Sequence, residues 1–189
     1  MTALVLLTVS AFDIALGMPT AILGALTALV VLIQERKSPL PMIREISWSV
    51  LPLVAALFVL VEMLDHTGVI TTFATMLRRA TEHNEMAAAG WAGTAIAFGS
   101  NLMNNLPAGL IASSTVMQAH SPERVIDALL IGVDLGPNLS ITGSLATILW
   151  LNAIRREGED VSFMKFLKVG VLVMVPALVL ALGARVLTG

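Results

Sequence analysis

Long apolar runs set the hydrophobic pattern of this chain. Three of them contain almost no polar residue: residues 21–33, 50–61 and 169–182. A helix that crosses about 30 Å of hydrocarbon needs roughly 20 such residues, because each residue adds about 1.5 Å of length. The pattern therefore predicts a multi-pass membrane protein, with spans at about residues 20–34, 46–64 and 163–187 and a shorter first helix at about residues 2–16.

Residues 68–81 follow a different pattern, which is that of an amphipathic helix. One face of this helix would carry five apolar residues, and the opposite face would carry three threonines together with Arg78 and Arg79. The segment is too short and too polar to cross a bilayer. The pattern therefore predicts a helix that lies at the membrane interface.

Two further segments are apolar at both ends and polar in the middle. The polar interruptions are residues 99–107 and 134–140, and the apolar arms beside them are residues 86–98, 108–117, 122–133 and 142–154. Each arm spans about half a bilayer, which favours a re-entrant hairpin followed by a broken helix. Unpaired backbone groups at membrane depth are costly unless protein or water satisfies them, so such breaks are typical of the cavities of transporters.

The two interruptions collect short polar side chains. We predict that they form one substrate site, with binding residues Ser100, Asn101, Asn104, Asn105, Asn138, Ser140 and Thr142. An asparagine amide both donates and accepts hydrogen bonds, which suits a small hydroxylated or oxyanionic solute. The alternative is that these side chains only cap half-helices and join the hairpin to its neighbours.

Asp134 is the acidic residue of the second interruption. A carboxylate near the bilayer centre costs about 2.5–3.5 kcal/mol on insertion scales, which makes a functional role the default interpretation. We predict that Asp134 couples transport to protons or binds a cation or solute directly, and that the N-terminus of the next half-helix stabilises its charge. The alternative is a permanently ionised cap. Asp13, in the first apolar segment, is a weaker candidate for a cavity residue.

Composition agrees with a membrane protein and narrows the function. Of 189 residues, 57% are hydrophobic and 13% are charged, whereas soluble domains carry about 25% charged residues. The chain has no cysteine, which excludes disulfides and thiolate metal sites. The sequence also lacks a nucleophile–base pair, a metal-ligand cluster and a phosphate-binding glycine loop. We therefore expect neither an enzyme nor a cofactor or metal site, and the net charge of −2 does not indicate nucleic acid binding.

Basic residues orient the predicted helices. Residues 34–45 and 155–168, which would share one face of the membrane, hold seven of the eleven: Arg36, Lys37, Arg44, Arg155, Arg156, Lys165 and Lys168. The positive-inside rule places this face in the cytoplasm and the end of the chain on the opposite side.

The interruptions also resemble a known family. Residues 99–107 (GSNLMNNLP), 132–140 (GVDLGPNLS) and 142–147 (TGSLAT) closely resemble the arsenite/antimonite efflux permeases (the arsenical pump membrane protein family), which belong to the ion transporter superfamily. The resemblance extends to a turn at Gly17-Met18-Pro19 and to the helix end with Arg155-Arg156-Glu157-Gly158.

The resemblance implies an all-helical fold of two inverted repeats, each containing three spans, a re-entrant hairpin, a broken helix and a final span. This chain would be the second repeat, which is the C-terminal half of a longer transporter. Its parts would be scaffold helices (residues 1–67), an interfacial arm helix (68–85), a transport region (86–156) and a final transmembrane helix (157–189).

The resemblance also implies an activity. Family members export trivalent arsenic or antimony hydroxides from the cytoplasm in exchange for protons, and some associate with a cytosolic ATPase. The chain is thus expected in the inner membrane, where it would work by alternating access together with the N-terminal half. The polar residues named above would bind the solute, and Asp134 would lie beside them.

Other functions are open at this point. A carrier of the same fold could transport a carboxylate or a cation, coupled to sodium or protons, although residues 86–118 and 125–151 contain no lysine or arginine to bind an anion. The hairpins could instead form the filter of a channel. A membrane subunit or gene fragment that does not transport is a further alternative.

Overall fold

The computed structural model describes residues 2–12, 17–35, 40, 44, 48 and 50–188. The chain divides into two compact units, Met1–Val50 and Leu51–Gly189. The first contains α1, Thr2–Ala11, and α2, Gly17–Glu35. The predicted turn at Gly17-Met18-Pro19 is in fact the first turn of α2, where proline is well tolerated. Asp13 lies outside the described residues.

All regular secondary structure among the described residues of the second unit is helical. Its helices are α3 (Val50–His66), α4 (Val69–His83), α5 (Glu85–Met103), α6 (Asn105–Ala119), α7 (Glu123–Leu135), α8 (Leu145–Arg156) and α9 (Phe163–Thr188). Two short 3₁₀ turns, Gly136–Leu139 and Ile141–Gly143, connect α7 to α8.

Two helices of the described chain are each long and apolar enough to cross a bilayer. They are α2, through residues Gly17–Gln34, and α9. Helices α3 and α4 meet that standard only when they are counted together, and they bend by 69° where they join. Gly68 forms this bend with a φ of 79°, a left-handed conformation that glycine adopts without steric cost. The secondary structure of the described residues is all-helical and includes apolar helices of the predicted kind, whereas the inverted repeat and the re-entrant path stay predictions.

Helix α4 has the predicted amphipathic character. Ile70 and Ala74 are buried, while Arg78 and Arg79 are exposed. Its location at the membrane interface stays a prediction.

The first break is much shorter than predicted. Helix α5 continues through Ser100 and Asn101 to Met103, and α6 begins at Asn105, so only Asn104 departs from helical conformation. The Ser100 and Asn101 side chains donate back to the Ala97 carbonyl in the preceding turn, at 2.8 and 2.9 Å. Pro107 falls in the first turn of α6, where its missing N–H costs nothing. Ser100 and Asn101 are therefore part of α5, and Pro107 is part of α6, although the sequence pattern placed all three in the break.

The second break begins later than predicted and is longer. Helix α7 runs through Asp134 to Leu135, and α8 begins only at Leu145. Asp134 therefore lies in the last turn of α7, where the helix dipole disfavours a negative charge. The predicted stabilisation of Asp134 by the N-terminus of the next half-helix does not follow from this position.

The core of this unit lies where α5, α7 and α9 pack together. It consists mainly of small and aliphatic side chains: Ala89, Ala97, Ala112, Val125, Ala128, Leu129, Met174, Leu178 and Leu182. Helices α5 and α7 cross closely because glycines lie at the contact. A Cβ atom on Gly132 would lie 2.2 Å from the carbonyl oxygen of Gly93. Small residues at such crossings are typical of helix packing in membranes.

Candidate functional site

The two breaks lie against each other, and the side chain of Asn101 joins them. Its Nδ2 donates to the carbonyl oxygen of Gly136 at 2.8 Å, in addition to Ala97 in its own helix. Its Oδ1 accepts from the Ser140 hydroxyl at 2.8 Å. Both N–H bonds of the amide are therefore used within the protein, which leaves Asn101 only acceptor capacity for a solute.

Thr142 and Asn104 add a second set of contacts between the breaks. The Thr142 hydroxyl donates to the Asn101 carbonyl at 3.3 Å and lies 3.2 Å from the Ser140 hydroxyl. The Asn104 Nδ2 donates to the Thr142 carbonyl at 3.5 Å, and its Oδ1 accepts from the Leu106 N–H, which caps α6. The predicted neighbourhood of the two breaks is therefore present in the structure.

The backbone of Asn104 is strained. Its φ of 76° and ψ of 154° fall in a region that residues other than glycine rarely adopt, at a cost of about 1–3 kcal/mol. Strain of this kind is concentrated at functional sites and hinges.

Ser100 and Asn138 are satisfied locally. Ser100 is fully buried and donates only to its own helix. The Asn138 Nδ2 donates to the carbonyls of Asp134 and Leu135, both at 3.1 Å, and so caps the end of α7. These contacts match the structural alternative for the two residues.

Asn105 and Asp134 differ from the other predicted site residues. Both line one pocket of about 340 Å³ between α3, α6 and α7, together with Val54, Leu57, Phe58, Leu106, Gly109, Leu110 and Val133. Neither side chain makes a hydrogen bond to any residue that the structure describes. Their side chains therefore keep their full hydrogen-bonding capacity for a solute, and the rest of the pocket is apolar.

Asp134 also lines a second cavity, which holds charged residues that sequence reasoning missed. This cavity, of about 440 Å³, lies between α7 and α9 and includes Asp127 and Arg185. Arg185 Nε donates to Asp127 Oδ2 at 2.6 Å. The spacing of Asp127 and Asp134, seven residues apart on one helix, places them on the same face and could have revealed the pair.

Helix α9 supports the second break from behind. A Cβ atom on Gly170 would lie 2.5 Å from the Leu139 carbonyl oxygen and 2.8 Å from that of Asn138. Gly143 is similarly close to Asn101, since its Cβ would lie 2.7 Å from Oδ1. The two 3₁₀ turns are therefore held on one side by the backbone of α9 and on the other by the side chain of Asn101.

The polar residues near the end of α3 lie away from both cavities. Glu62 and His66 form an exposed pair at 3.4 Å near the end of α3. Gln118 of α6 donates to Asp65 at 3.1 Å and accepts from Thr71 at 3.2 Å. In the described part of the chain, no three His, Cys, Asp or Glu residues come together in a way that could hold a metal ion.

Comparison with known proteins gives one consistent result. The sequence model described as "Arsenical pump membrane protein" matches residues 1–187. An arsenical pump membrane protein of Escherichia coli is 26% identical over 180 residues, which are 91% of this chain and 42% of that protein. The corresponding protein of Yersinia enterocolitica is 28% identical over 193 residues, 97% of this chain and 45% of its own length.

Another relative has a more general name. An uncharacterized transporter of Mycobacterium tuberculosis is 31% identical over 145 residues, which cover 72% of this chain and 33% of that protein. No solved structure matches the chain.

The chain spans less than half the length of these curated relatives. The match nevertheless extends over nearly all of the chain and includes both breaks. Together with the apolar helices, it confirms the predicted resemblance: the chain belongs to the arsenical pump membrane protein family.

Proposed function

We propose that this chain forms one side of the substrate path of an efflux transporter for trivalent arsenic and antimony hydroxides, located in the inner membrane and driven by proton antiport. The observation that carries the proposal is the pocket shared by Asn105 and Asp134. It contains one free amide and one free carboxylate between two interrupted helices, in a chain whose family is named for arsenical pumps.

The chemistry of the pocket suits a neutral hydroxide. The hydroxyl groups of such a solute both donate and accept, as the amide of Asn105 does. The remaining lining is apolar, supplied in part by Val54, Leu57 and Phe58 of α3. A pocket with mostly apolar walls and few polar groups fixes the orientation of a small solute without a fixed countercharge.

Asp134 is assigned proton coupling. A carboxylate can exchange a proton on each transport cycle only if no permanent cation neutralises it, and no lysine or arginine lines the pocket that it shares with Asn105. Protonation of Asp134 would favour the carrier without solute, and binding of the solute would favour the carrier with deprotonated Asp134. Protons and solute therefore move in opposite directions.

The other predicted site residues receive supporting roles in this proposal. Asn101, Ser140 and Thr142 fix the two breaks against each other, so that Asn105 and Asp134 keep their spacing. Asn138 and Ser100 complete the helix ends. The opposite wall of the pocket is assigned to the N-terminal half, and association with a cytosolic ATPase is expected as in the family.

Transport into everted membrane vesicles tests the proposal. The vesicles come from cells that make the complete transporter, including its N-terminal half. They should take up arsenite when respiration acidifies their lumen. We expect Asp134→Asn to abolish this proton-driven uptake and Asn105→Ala to lower it strongly. Asn152→Ala provides a matched control, because Asn152 is an exposed amide on α8 outside both cavities.

Two outcomes would contradict the proposal. Unchanged uptake in both variants would remove Asn105 and Asp134 from the transport path. Arsenite flux that persists against an opposing proton gradient would identify a channel instead.

A rival function, that of a carboxylate carrier, has a specific observation in its favour. Arg185 lies in a cavity with Asp134, and a carboxylate carrier needs a basic group near its site. Asp127 neutralises Arg185 in the structure. Competition by dicarboxylates for arsenite uptake would favour this rival, and we expect none.

A further inference from the structure

The cavity between α7 and α9 is not used by the substrate site. It has a volume of about 440 Å³ and is lined by Asp127, Leu130, Ile131, Asp134, Leu135, Ala181 and Arg185. A single water takes up about 30 Å³ of liquid, so several waters fit. The charged side chains in its lining, Asp127, Asp134 and Arg185, can hold them.

Asp134 is the one residue that lines both this cavity and the substrate pocket. The substrate pocket is formed with α3 and α6, whereas the second cavity is formed with α9. The carboxylate is therefore reached from two directions through spaces that have no other lining residue in common. Of the described residues, the charged ones along these two spaces are Asp127, Asp134 and Arg185.

Asp127 lies two helical turns before Asp134, which corresponds to about 10 Å along α7. One of its carboxylate oxygens accepts from Arg185 at 2.6 Å, and the other makes no hydrogen bond to the described residues. An unpaired arginine would repel a proton that approached through the cavity. The ion pair removes that barrier and leaves a carboxylate oxygen that can accept a proton.

We propose that this cavity is the proton path to Asp134, separate from the path of the arsenic hydroxide, with Asp127 as a relay and Arg185 as its positioning residue. This inference rests on the proposed coupling role of Asp134. A separate path lets Asp134 release or take up its proton without a proton leak through the substrate pocket.

Filling the cavity tests the inference. Ala181→Phe places a ring in the space, and Ala184→Phe places the same ring on the same helix at an exposed position outside the cavity. Two transport modes are compared in everted vesicles. Proton-driven arsenite uptake needs the proton path, while exchange of labelled for unlabelled arsenite uses only the loaded carrier and needs no proton transfer.

We expect Ala181→Phe to lower proton-driven uptake several-fold, to lower arsenite-induced alkalinisation of the vesicle lumen to the same degree, and to leave exchange unchanged. Ala184→Phe should retain both modes. Ala181→Phe that retains proton-driven uptake, or that loses exchange to the same extent, would overturn the inference. If the phenylalanine prevents accumulation of the protein, Asp127→Asn carries the same comparison, because it leaves Arg185 unpaired in the cavity.

Asp134→Asn separates this inference from the proposed function. If that variant keeps proton-driven uptake, the coupling role itself is wrong. If it loses proton-driven uptake and keeps exchange, while Ala181→Phe and Asp127→Asn behave like the unmodified protein, then only the separate proton path is wrong.

Discussion

The two breaks interrupt their helices in opposite ways. The first concentrates the whole departure in Asn104, whose backbone is strained. The second extends over residues 136–144 as two 3₁₀ turns, and closely packed glycines hold it against α5 and α9. A single strained residue can change conformation at little further cost, whereas a segment fixed by backbone contacts cannot. The comparison indicates that the first break is the hinge and the second is the frame against which it moves.

The largest expected effect comes from loosening the frame. Gly136→Ala would bring a Cβ within 2.2 Å of the Ala97 carbonyl oxygen and 2.4 Å of its Cα. Since backbone atoms cannot turn aside as a side chain does, we expect the free energy of unfolding to fall by about 3 kcal/mol. Thermal unfolding of the purified protein in detergent measures the loss.

Gly99→Ala is the matched control for this prediction. Gly99 lies in α5, and a Cβ there would meet nothing within 4 Å. Alanine forms helix better than glycine by about 0.5–1 kcal/mol, so this variant should be unchanged or slightly more stable. Equal losses in the two variants would show that α5 and the second break are not in close contact.

The second prediction concerns the contact that joins hinge and frame. Asn101→Ala removes the donor to Gly136 and the acceptor from Ser140, and both partners are buried. Buried polar groups without a partner cost about 1–3 kcal/mol each, and a small residue relieves part of that cost by admitting water, so we expect a loss of about 2 kcal/mol. Thermal unfolding reports this loss, and arsenite uptake should fall with it.

Ser100→Ala is the control, because Ser100 is more deeply buried yet its hydroxyl donates only to its own helix. The Ala97 carbonyl keeps its bond from Asn101. A serine that bonds back to its own helix adds little stability, so we expect a change of no more than about 0.5 kcal/mol. A larger loss in Ser100→Ala than in Asn101→Ala would place the connection between the breaks elsewhere.

Sequence patterns predicted the helices of this fold better than they predicted its breaks. Apolar runs placed α2, α3 and α9 within a few residues, because each of these helices consists mainly of one long apolar run. The sequence pattern predicts a first break of nine residues, 99–107, because Ser100 and Asn101 are polar and follow a glycine. Whether a polar side chain ends a helix or is accommodated within it depends on the segment that packs beside it. Here the carbonyl of Gly136, in the first 3₁₀ turn, accepts from Asn101.

The candidate site, too, could be predicted from the sequence only in part. The sequence could indicate that Asn101, Asn105 and Asp134 belong together, because each lies in an interruption. It could not show that the amide of Asn101 is already engaged while that of Asn105 is open, since this depends on the register between α5 and α7. Asp127 and Arg185 were missed because 58 residues separate them, and only the antiparallel packing of α7 and α9 brings them into contact.

The smallest expected effect isolates the strain in the hinge itself. Asn104→Ala and Asn104→Gly both remove the amide, with its bonds to Leu106 and Thr142, and they differ only in backbone freedom. Glycine adopts a φ of 76° without steric cost, whereas alanine keeps the strain. We therefore expect the glycine variant to be the more stable of the two by about 1 kcal/mol in thermal unfolding, a difference that the greater chain entropy of unfolded glycine reduces but does not cancel. If alanine is equally stable, Asn104 is not strained, and the contrast between a hinge in the first break and a frame in the second loses its physical basis.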